Sequence, residues 1–450
     1  MNNSSDGSAW ILLGSVWLVT LFLYILLQCV SPLLPLLIME FHLDHWMGGF
    51  LYALPVLMIA LFSYPLGVVS DRIGLKFAVG CGATVAALSS LMRPLAANYS
   101  MLTLSTALFG LGFAMCFTNL PKLVKTNFPQ HLAGTATGVY TSAIPLGTGL
   151  GIALTKPIFA VTGSWREVLL LWSLMAMPVV LFWWVVGRLV RKRERPSDQG
   201  SVYHGAAGQT EAQRLNLREP RDPEPSAYDS LRKGSTAQSP VTDIQNIHSR
   251  GRLVGSVLIC GLLLMLLNLT FYATIGWLPT YLIEEGWDAV SAATATSVIS
   301  FVEVPAVLLI PILSDLTGGR RFILVLGFSL ICICSAGLAF NTASTWFVTP
   351  VLGITFGGIF ALLLATPVEF FEKEKVASAA GAIISIGYVG ALVGPLMTGY
   401  LRDSTGSFVV GFLVLALAGL VSAGLSYVLS EVHPRRAAAS QFSLRAPKQT

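Results

Sequence analysis

Charged residues are scarce in this sequence of 450 residues: only 11% are Asp, Glu, Lys or Arg, while 54% are hydrophobic. In an ordinary soluble domain about a quarter of the residues are charged, so this chain has too little charge to cover a soluble globule of its length. A soluble enzyme is therefore excluded. The apolar residues fall into blocks near the roughly 20 residues with which a helix crosses a hydrocarbon core, and they predict an all-α polytopic membrane protein.

Cysteine and histidine are also few, with six of each. All the cysteines lie inside apolar blocks, which predicts small buried hydrophobes and no disulfide framework. Cys332 and Cys334 could be imagined as a metal pair, but no histidine falls in an apolar block near them. The histidines all lie at block ends or in loops, away from the converging set that a membrane-embedded enzyme needs. We therefore expect no enzyme, no cofactor and no metal.

Twelve apolar blocks form two sets of six, one before Arg191 and one after Arg252. The sequence between them is polar and carries prolines, and it cannot bury enough apolar surface to offset its ordering entropy. The predicted organisation is an N-terminal six-helix bundle (1–190), a flexible cytoplasmic linker (191–252), a C-terminal six-helix bundle (253–430) and a cytoplasmic tail (431–450).

The formal net charge is +5, but the basic residues form short clusters beside apolar blocks. Membrane orientation explains such clusters, since cytoplasmic loops retain Lys and Arg, and no nucleic-acid partner is expected. With both termini in the cytoplasm, only four basic residues fall on the other side: Arg93, Lys156, Arg166 and Arg402. The sequence thus predicts a multi-pass protein of the cell membrane.

The turns after the second and eighth blocks repeat each other. In both Gly67–Lys76 and Pro311–Arg321, Ser-Asp is followed by a glycine three residues after the aspartate and by a cation five residues after it. Such a repeat is expected of a transporter with an internal duplication. A second parallel lies in the glycines of the fifth and eleventh blocks: Gly147 and Gly151 match Gly390 and Gly394.

On these residues the sequence resembles the major facilitator superfamily of secondary transporters. The turn at Gly67–Lys76 is similar to that family's signature, Gly-x-x-x-Asp-Arg-x-Gly-Arg-Arg/Lys, with Leu75 in place of the first basic residue. The resemblance implies two pseudo-symmetric bundles around a central cavity that opens to one side at a time, with the turns latching the cytoplasmic side. The alternative is a turn that only sets topology. The candidate latch residues are Gly67, Asp71, Arg72, Gly74, Lys76, Asp315 and Arg320.

Glu303 is the only carboxylate near the centre of an apolar block. Burial disfavours the charged form of a carboxyl group, which suits a group that binds and releases a proton during a transport cycle. We therefore predict that Glu303 couples transport to protons or faces the substrate. The alternative is a structural carboxylic acid bonded to another helix near the kink at Pro305.

Other polar side chains within the blocks are candidates for the cavity wall, because the resemblance implies that helices one, four, seven and ten, with two, five, eight and eleven, line it. These candidates are Tyr24, Gln28, Asn119, Tyr140, Asn268, Tyr272 and Tyr388. Gln28 and Asn268 are the preferred ones. Each could instead be an interhelical hydrogen bond, which is common between membrane helices.

Two features of the apolar blocks indicate the class of substrate. No Lys or Arg lies in the middle of a block, which disfavours a strongly anionic solute, and Phe271–Leu282 resembles the seventh-helix exit of small-solute and organic-acid permeases, including the cyanate-porter group. We predict a monomeric, proton-coupled symporter in the lipid bilayer that moves a small organic or weakly anionic solute by alternating access. The alternatives are an exporter of organic cations, with Glu303 as counter-ion, and a receptor that signals through the linker.

Overall fold

The computed structural model describes residues 3–128, 130–193, 240–317, 320–370 and 373–429, and these form helices and no strand. Twelve stretches are long and apolar enough to cross a membrane, which confirms the predicted all-α fold. The first span, α1, has two segments, Asn3–Gln28 and Leu34–Phe41, joined by a 3₁₀ turn at Ser31–Leu33. The rest of the first half is α2 (His45–Ile73), α3 (Leu75–Met92), α4 (Tyr99–Asn127), α5 (Gln130–Thr162) and α6 (Trp165–Arg193). The second half is α7 (Pro240–Glu284), α8 (Ala289–Thr317), α9 (Arg320–Phe340), α10 (Thr345–Phe370), α11 (Lys373–Thr405) and α12 (Val409–Leu429).

The helices next to the predicted linker extend beyond the apolar blocks. Helix α6 continues to Arg193 and α7 begins at Pro240, inside the predicted linker, because backbone hydrogen bonding can continue after the hydrocarbon ends. The apolar spans themselves, Trp165–Arg188 and Val257–Glu284, are shorter. Residues 194–239 of the predicted linker and the predicted tail at 431–450 lie outside the described residues.

The two halves pack their helices in the same way. In the first half α1 packs against α5 and α6, α2 against α4, and α3 against α4 and α6. In the second half α7 packs against α11 and α12, α8 against α10, and α9 against α10 and α12. Every pair has its counterpart six helices later, so the halves are two copies of one bundle.

Paired glycines set the same register in both halves. A Cβ on Gly147 would lie 3.0 Å from the Cβ of Tyr24 and against the Leu21 carbonyl of α1, and one on Gly390 would lie 2.7 Å from the carbonyl carbon of Met265 in α7. Helices can approach this closely in a membrane only where side chains are small. The next glycine on each helix packs in the same manner: Gly151 and Gly394.

The halves meet along two helix pairs, α2 with α11 and α5 with α8. The pseudo-symmetry exchanges these pairs, so they form equivalent interfaces on opposite sides of a central space. We name the membrane side that holds the end of α6 and the start of α7 the linker side, and the opposite side the far side.

The far side is closed by direct contacts between the halves. Helix α1 is interrupted near Pro32, and the Ser31 hydroxyl donates to the carbonyl of Ile275 in α7 at 2.6 Å. That carbonyl needs a partner because Pro279, four residues later, has no N–H. Gly49 of α2 lies against α11, where a Cβ would be 2.9 Å from the carbonyl carbon of Pro395. The halves therefore touch backbone to backbone at this end.

Two of the four cations predicted on the far side are buried there, which the sequence did not indicate. Arg93 is 1% exposed and Lys156 is 4% exposed. The Arg93 guanidinium donates to the carbonyl of Leu26 at 2.7 Å and lies 4.2 Å from the ring centre of Phe109. The first segment of α1 ends at Gln28, so its last carbonyls lack helical partners, and a cation suits the negative end of a helix dipole.

Candidate substrate-binding cavity

A cavity of about 260 Å³ lies between the halves, with walls from α1, α4 and α5 of the first and α7, α8, α10 and α11 of the second. Most of the wall is aromatic or aliphatic, and in the part of the chain that the structure describes no Lys or Arg lines it. The structure brings together most of the predicted cavity residues: Tyr24, Gln28, Tyr140, Asn268, Tyr272, Glu303 and Tyr388.

Asn119 is not brought to this cavity. It is fully buried, and its amide donates to the Ser70 hydroxyl of α2 at 2.7 Å and to the Met115 carbonyl of its own helix at 2.7 Å. These bonds tie α4 to α2 within the first half. Of the two interpretations open from the sequence, the interhelical hydrogen bond describes this residue.

Glu303 is 9% exposed and lies on α8, where Gly357 of α10 leaves room for it: a Cβ on that glycine would be 2.8 Å from the Glu303 Cγ. Its Oε2 atom is buried and has no hydrogen-bond partner among the described residues. A charged carboxylate in this position would be a buried, unpaired ion, which is costly.

Helices α1 and α7 each supply one phenol and one carboxamide to the cavity. In the register set by the paired glycines, Tyr24 of α1 is equivalent to Asn268 of α7, and Gln28 is equivalent to Tyr272. The Asn268 amide donates to the Gly387 carbonyl at 3.1 Å, which leaves its own carbonyl as an acceptor. The cavity therefore offers hydrogen-bond donors and acceptors from α1 of the first half and from α7 of the second half. The carboxyl group of Glu303 belongs to the second half and has no equivalent in the first half of the lining.

Tyr52 of α2 is a positioning residue that the sequence did not indicate. Its hydroxyl donates to the Gln28 carbonyl at 2.7 Å in a fully buried bond, which leaves the Gln28 NH₂ group as a donor on the cavity wall. The Tyr52 ring also crosses to the other half, where a Cβ on Gly276 would lie 2.8 Å from it. The hydrogen-bond partner lies 24 residues earlier on another helix, and no local pattern connects the two.

Tyr52→Phe is expected to weaken solute binding by roughly tenfold, because the lost hydrogen bond frees the Gln28 amide to rotate and leaves its carbonyl unpaired, at about 1–3 kcal/mol. The measurement is the half-saturating solute concentration for uptake into proteoliposomes. Tyr99→Phe is the matched control, since the Tyr99 hydroxyl donates to the Met47 carbonyl at the far-side end. Equal half-saturating solute concentrations in the two variants would mean that Tyr52 has no role in solute binding.

Aromatic rings narrow the cavity towards the linker side. Phe117 of α4 and Tyr388 of α11 meet edge to face across the halves, with ring centres 5.8 Å apart. Beyond them the cavity continues to Pro121, which is exposed. Because the far side is closed at Ser31 and Gly49, the cavity opens to the linker side in this structure.

The candidate latch turns make contacts within their own halves. Asp71 pairs with Lys122 of α4 at 3.0 Å, and the Arg320 guanidinium donates to the Leu362 carbonyl of α10. The Asp315 side chain lies outside the described part of the structure. A latch that joins the halves stays a prediction, and it would belong to a state with the linker side closed.

The remaining latch candidates shape the turn between α2 and α3. A Cβ on Gly67 would lie 3.3 Å from the methyl group of Thr118 in α4. Gly74 has a φ of +93°, a backbone conformation that only glycine adopts readily. Arg72 is exposed, and the Lys76 carbonyl accepts the indole N–H of Trp183 at 3.2 Å.

A cavity enclosed by two repeated helical halves, with irregular helix breaks beside it, defines a membrane transporter. The family model of the Major Facilitator Superfamily matches residues 16–395 and 319–450, and the chain belongs to this family. The resemblance stated from the sequence is thereby confirmed. The protein is a multi-pass membrane transporter of a small molecule and is not an enzyme.

Individual relatives and a solved structure agree with this assignment. The chain is 25% identical to the 2-nitroimidazole transporter of Escherichia coli (strain K12), over 92% of this chain and 93% of the relative. It is 23% identical to the cyanate transport protein CynX of the same organism, over 88% and 91%. The crystal structure of a bacterial homolog to the human lysosomal transporter Spinster superposes with a TM-score of 0.70 at 13% identity, over 94% of this chain and 97% of that chain, which establishes the shared fold.

Proposed function

We propose that the protein is a proton-coupled symporter that carries a small organic or weakly anionic solute across the cell membrane. The linker side, with both termini, is the cytoplasmic side in this proposal. The observation that carries it is Glu303, a buried carboxyl group on a cavity wall whose described lining contains no Lys or Arg. Its Oε2 atom has no hydrogen-bond partner among the described residues. The functional unit is a monomer in the lipid bilayer, because the cavity is complete within one chain.

Charge repulsion provides the coupling. An anionic solute and an ionised Glu303 would place two negative charges in one apolar cavity, where the low dielectric strengthens their repulsion. The solute therefore binds while Glu303 is protonated. When the solute leaves on the linker side, water can take the proton from Glu303, whose side chain lines the same cavity as Tyr24 and Tyr272. One proton and one monovalent anion per cycle move no net charge.

The cavity favours a small, planar solute with polar atoms on two opposite edges. Its volume of about 260 Å³ excludes large drug-sized molecules. Ring pairs such as Tyr24 with Phe113, at 5.2 Å and 86°, and Phe271 with Phe356, at 5.3 Å and 86°, present aromatic surface to the solute. The solutes after which the two relatives are named, 2-nitroimidazole and cyanate, are both small.

One observation favours a second candidate, the export of organic cations. An unpaired carboxylate among aromatic rings also suits a cation, through its charge and through cation–π attraction. In that case proton and cation would compete for Glu303, and they would move in opposite directions.

Transport by purified protein in liposomes separates the two candidates. With an acidic exterior, a gradient of about one pH unit supports roughly tenfold accumulation of a solute that moves with one proton. The probes are benzoate, cyanate, 2-nitroimidazole and tetraethylammonium. The symporter hypothesis expects accumulation of one of the first three beyond that in protein-free liposomes, independent of an imposed membrane potential for an anion. Accumulation of tetraethylammonium alone, driven by an acidic interior, would establish the exporter, and equilibration without accumulation would refute coupling.

A further inference from the structure

A cluster of four ionisable side chains joins the halves at the far-side end, well away from the cavity. His45 begins α2 in the first half, Glu284 ends α7, and Arg402 and Asp403 lie near the end of α11 in the second half. The His45 Nδ1 atom is 2.7 Å from Asp403 Oδ1, and its Nε2 atom is 3.5 Å from Glu284 Oε1. Both ring nitrogens thus face carboxylates of the opposite half.

The Asp403 carboxylate also caps a helix of the opposite half. It accepts the backbone N–H groups of His45 and Trp46, each at 2.9 Å. These are among the first amides of α2, which have no partner within the helix, and a carboxylate there also interacts favourably with the helix dipole. An α11 side chain therefore supplies the N-terminal cap of α2 only while the far side is closed.

We infer that His45, Asp403 and Glu284 form a proton-binding site that holds the far side closed. A neutral imidazole has one N–H and one lone pair, whereas imidazolium donates from both nitrogens. Only the protonated ring can donate to Asp403 and to Glu284 at the same time. After deprotonation one nitrogen lone pair faces a carboxylate oxygen, and a bond between the halves is lost.

The charges around the ring balance only when His45 is protonated. Arg402 pairs with Glu284, Nε to Oε2, at 3.0 Å, so imidazolium and guanidinium together match the two carboxylates. The Trp277 and Phe408 rings pack on the imidazole, with ring centres 5.7 and 5.8 Å away. Loss of the proton leaves a net negative charge between the halves in partly apolar surroundings.

The other acidic groups near this end do not replace His45. Asp44 accepts the indole N–H of Trp46 at 3.2 Å, and Glu285 is exposed in the turn after α7. Asp288 caps α8 through the Ser291 amide at 2.9 Å, and its hydrogen bonds to Ser291 and Val290 lower the pKa of its carboxyl group. Asp288 therefore stays ionised while a histidine titrates, and the pH response is assigned to His45.

Distance measurement between spin labels tests the site without any solute. Labels are placed at exposed far-side positions in the two halves, Ser100→Cys and Ala343→Cys, with Cys81 and Cys332, the native cysteines that are not fully buried, replaced by alanine. Double electron–electron resonance in lipid nanodiscs then reports the far-side opening between about pH 5 and 8, where histidine titrates. Raising the pH is expected to increase the ratio of open to closed far side by roughly tenfold, the scale of one charge-assisted hydrogen bond.

Two variants decide the assignment. Both are made in a parent that carries Glu303→Gln, so that the cavity carboxyl group contributes no pH response. In this parent His45→Gln is expected to be insensitive to pH, whereas His42→Gln, at an exposed histidine three residues away, is expected to respond as the parent does. A monodisperse size-exclusion profile that matches that of the parent verifies that His45→Gln is folded. A pH response that survives in His45→Gln, or its absence from the parent, overturns the inference. Either result leaves the role of Glu303 untouched, since the experiment involves neither solute nor a proton gradient.

Discussion

Glu303→Gln is expected to abolish accumulation driven by a proton gradient while solute exchange continues. Glutamine keeps the size and hydrogen-bonding capacity of a protonated glutamate but cannot release a proton. The variant should still bind solute and change conformation, so the ratio of solute inside to outside should fall from roughly tenfold, for a gradient of about one pH unit, to equality. The measurement is uptake into proteoliposomes with and without the gradient, together with exchange of labelled for unlabelled solute.

Glu167→Gln is the matched control for this result. Glu167 is an exposed glutamate in the first turn of α6, and its variant should accumulate solute as the parent does. If Glu303→Gln still accumulates solute against a gradient, Glu303 is a structural carboxylic acid. The coupling group would then have to be sought elsewhere in the chain.

Gly49→Val is expected to slow transport by hindering closure of the far side. The valine side chain would collide with the Pro395 backbone of α11, where even a Cβ lies within 2.9 Å of the carbonyl carbon. Overpacking of this kind costs about 1–3 kcal/mol, which shifts the balance towards the open far side by roughly tenfold or more. Solute uptake should fall by a similar factor, and the spin labels at positions 100 and 343 should move apart.

Gly14→Val separates this effect from a general cost of valine in a membrane helix. A Cβ on Gly14 has no atom within 4 Å, so this variant should transport at the parental rate. Because Gly49 lies between the halves and not within one, Gly49→Val should also remain folded. Equal transport by the two variants would mean that α2 and α11 need not touch for the cycle to proceed.

The membrane-spanning helices and their duplication could be predicted because both depend on short stretches of sequence. Apolar length fixes each helix, and the glycines at Gly147 and Gly390 stand at equivalent places in two repeats. Glu303 could also be predicted, since a carboxylate in the middle of an apolar block is conspicuous wherever its side chain points. Features that depend on the residues of a single helix can therefore be predicted from the sequence of that helix alone.

Features that join distant helices could not be predicted. Asn119 and Asn268 look alike in sequence, and only the rotation of their helices places one against Ser70 and the other at the cavity. His45 and Asp403 are 358 residues apart and stand at block ends, where polar residues are ordinary. Arg93 looks like a loop cation until the broken end of α1 supplies a carbonyl for it.

The hydrogen bond from Ser31 to Ile275 has a consequence for hydration. In the proposed transport cycle, opening of the far side would separate the Ile275 carbonyl from the Ser31 hydroxyl, and Pro279 has no backbone N–H with which to replace it. Both polar groups then face a water-filled vestibule, and each can bind a water molecule in place of the other. Wetting and drying of this contact are thus part of the conformational change, and neither end state is left with an unsatisfied carbonyl in hydrocarbon.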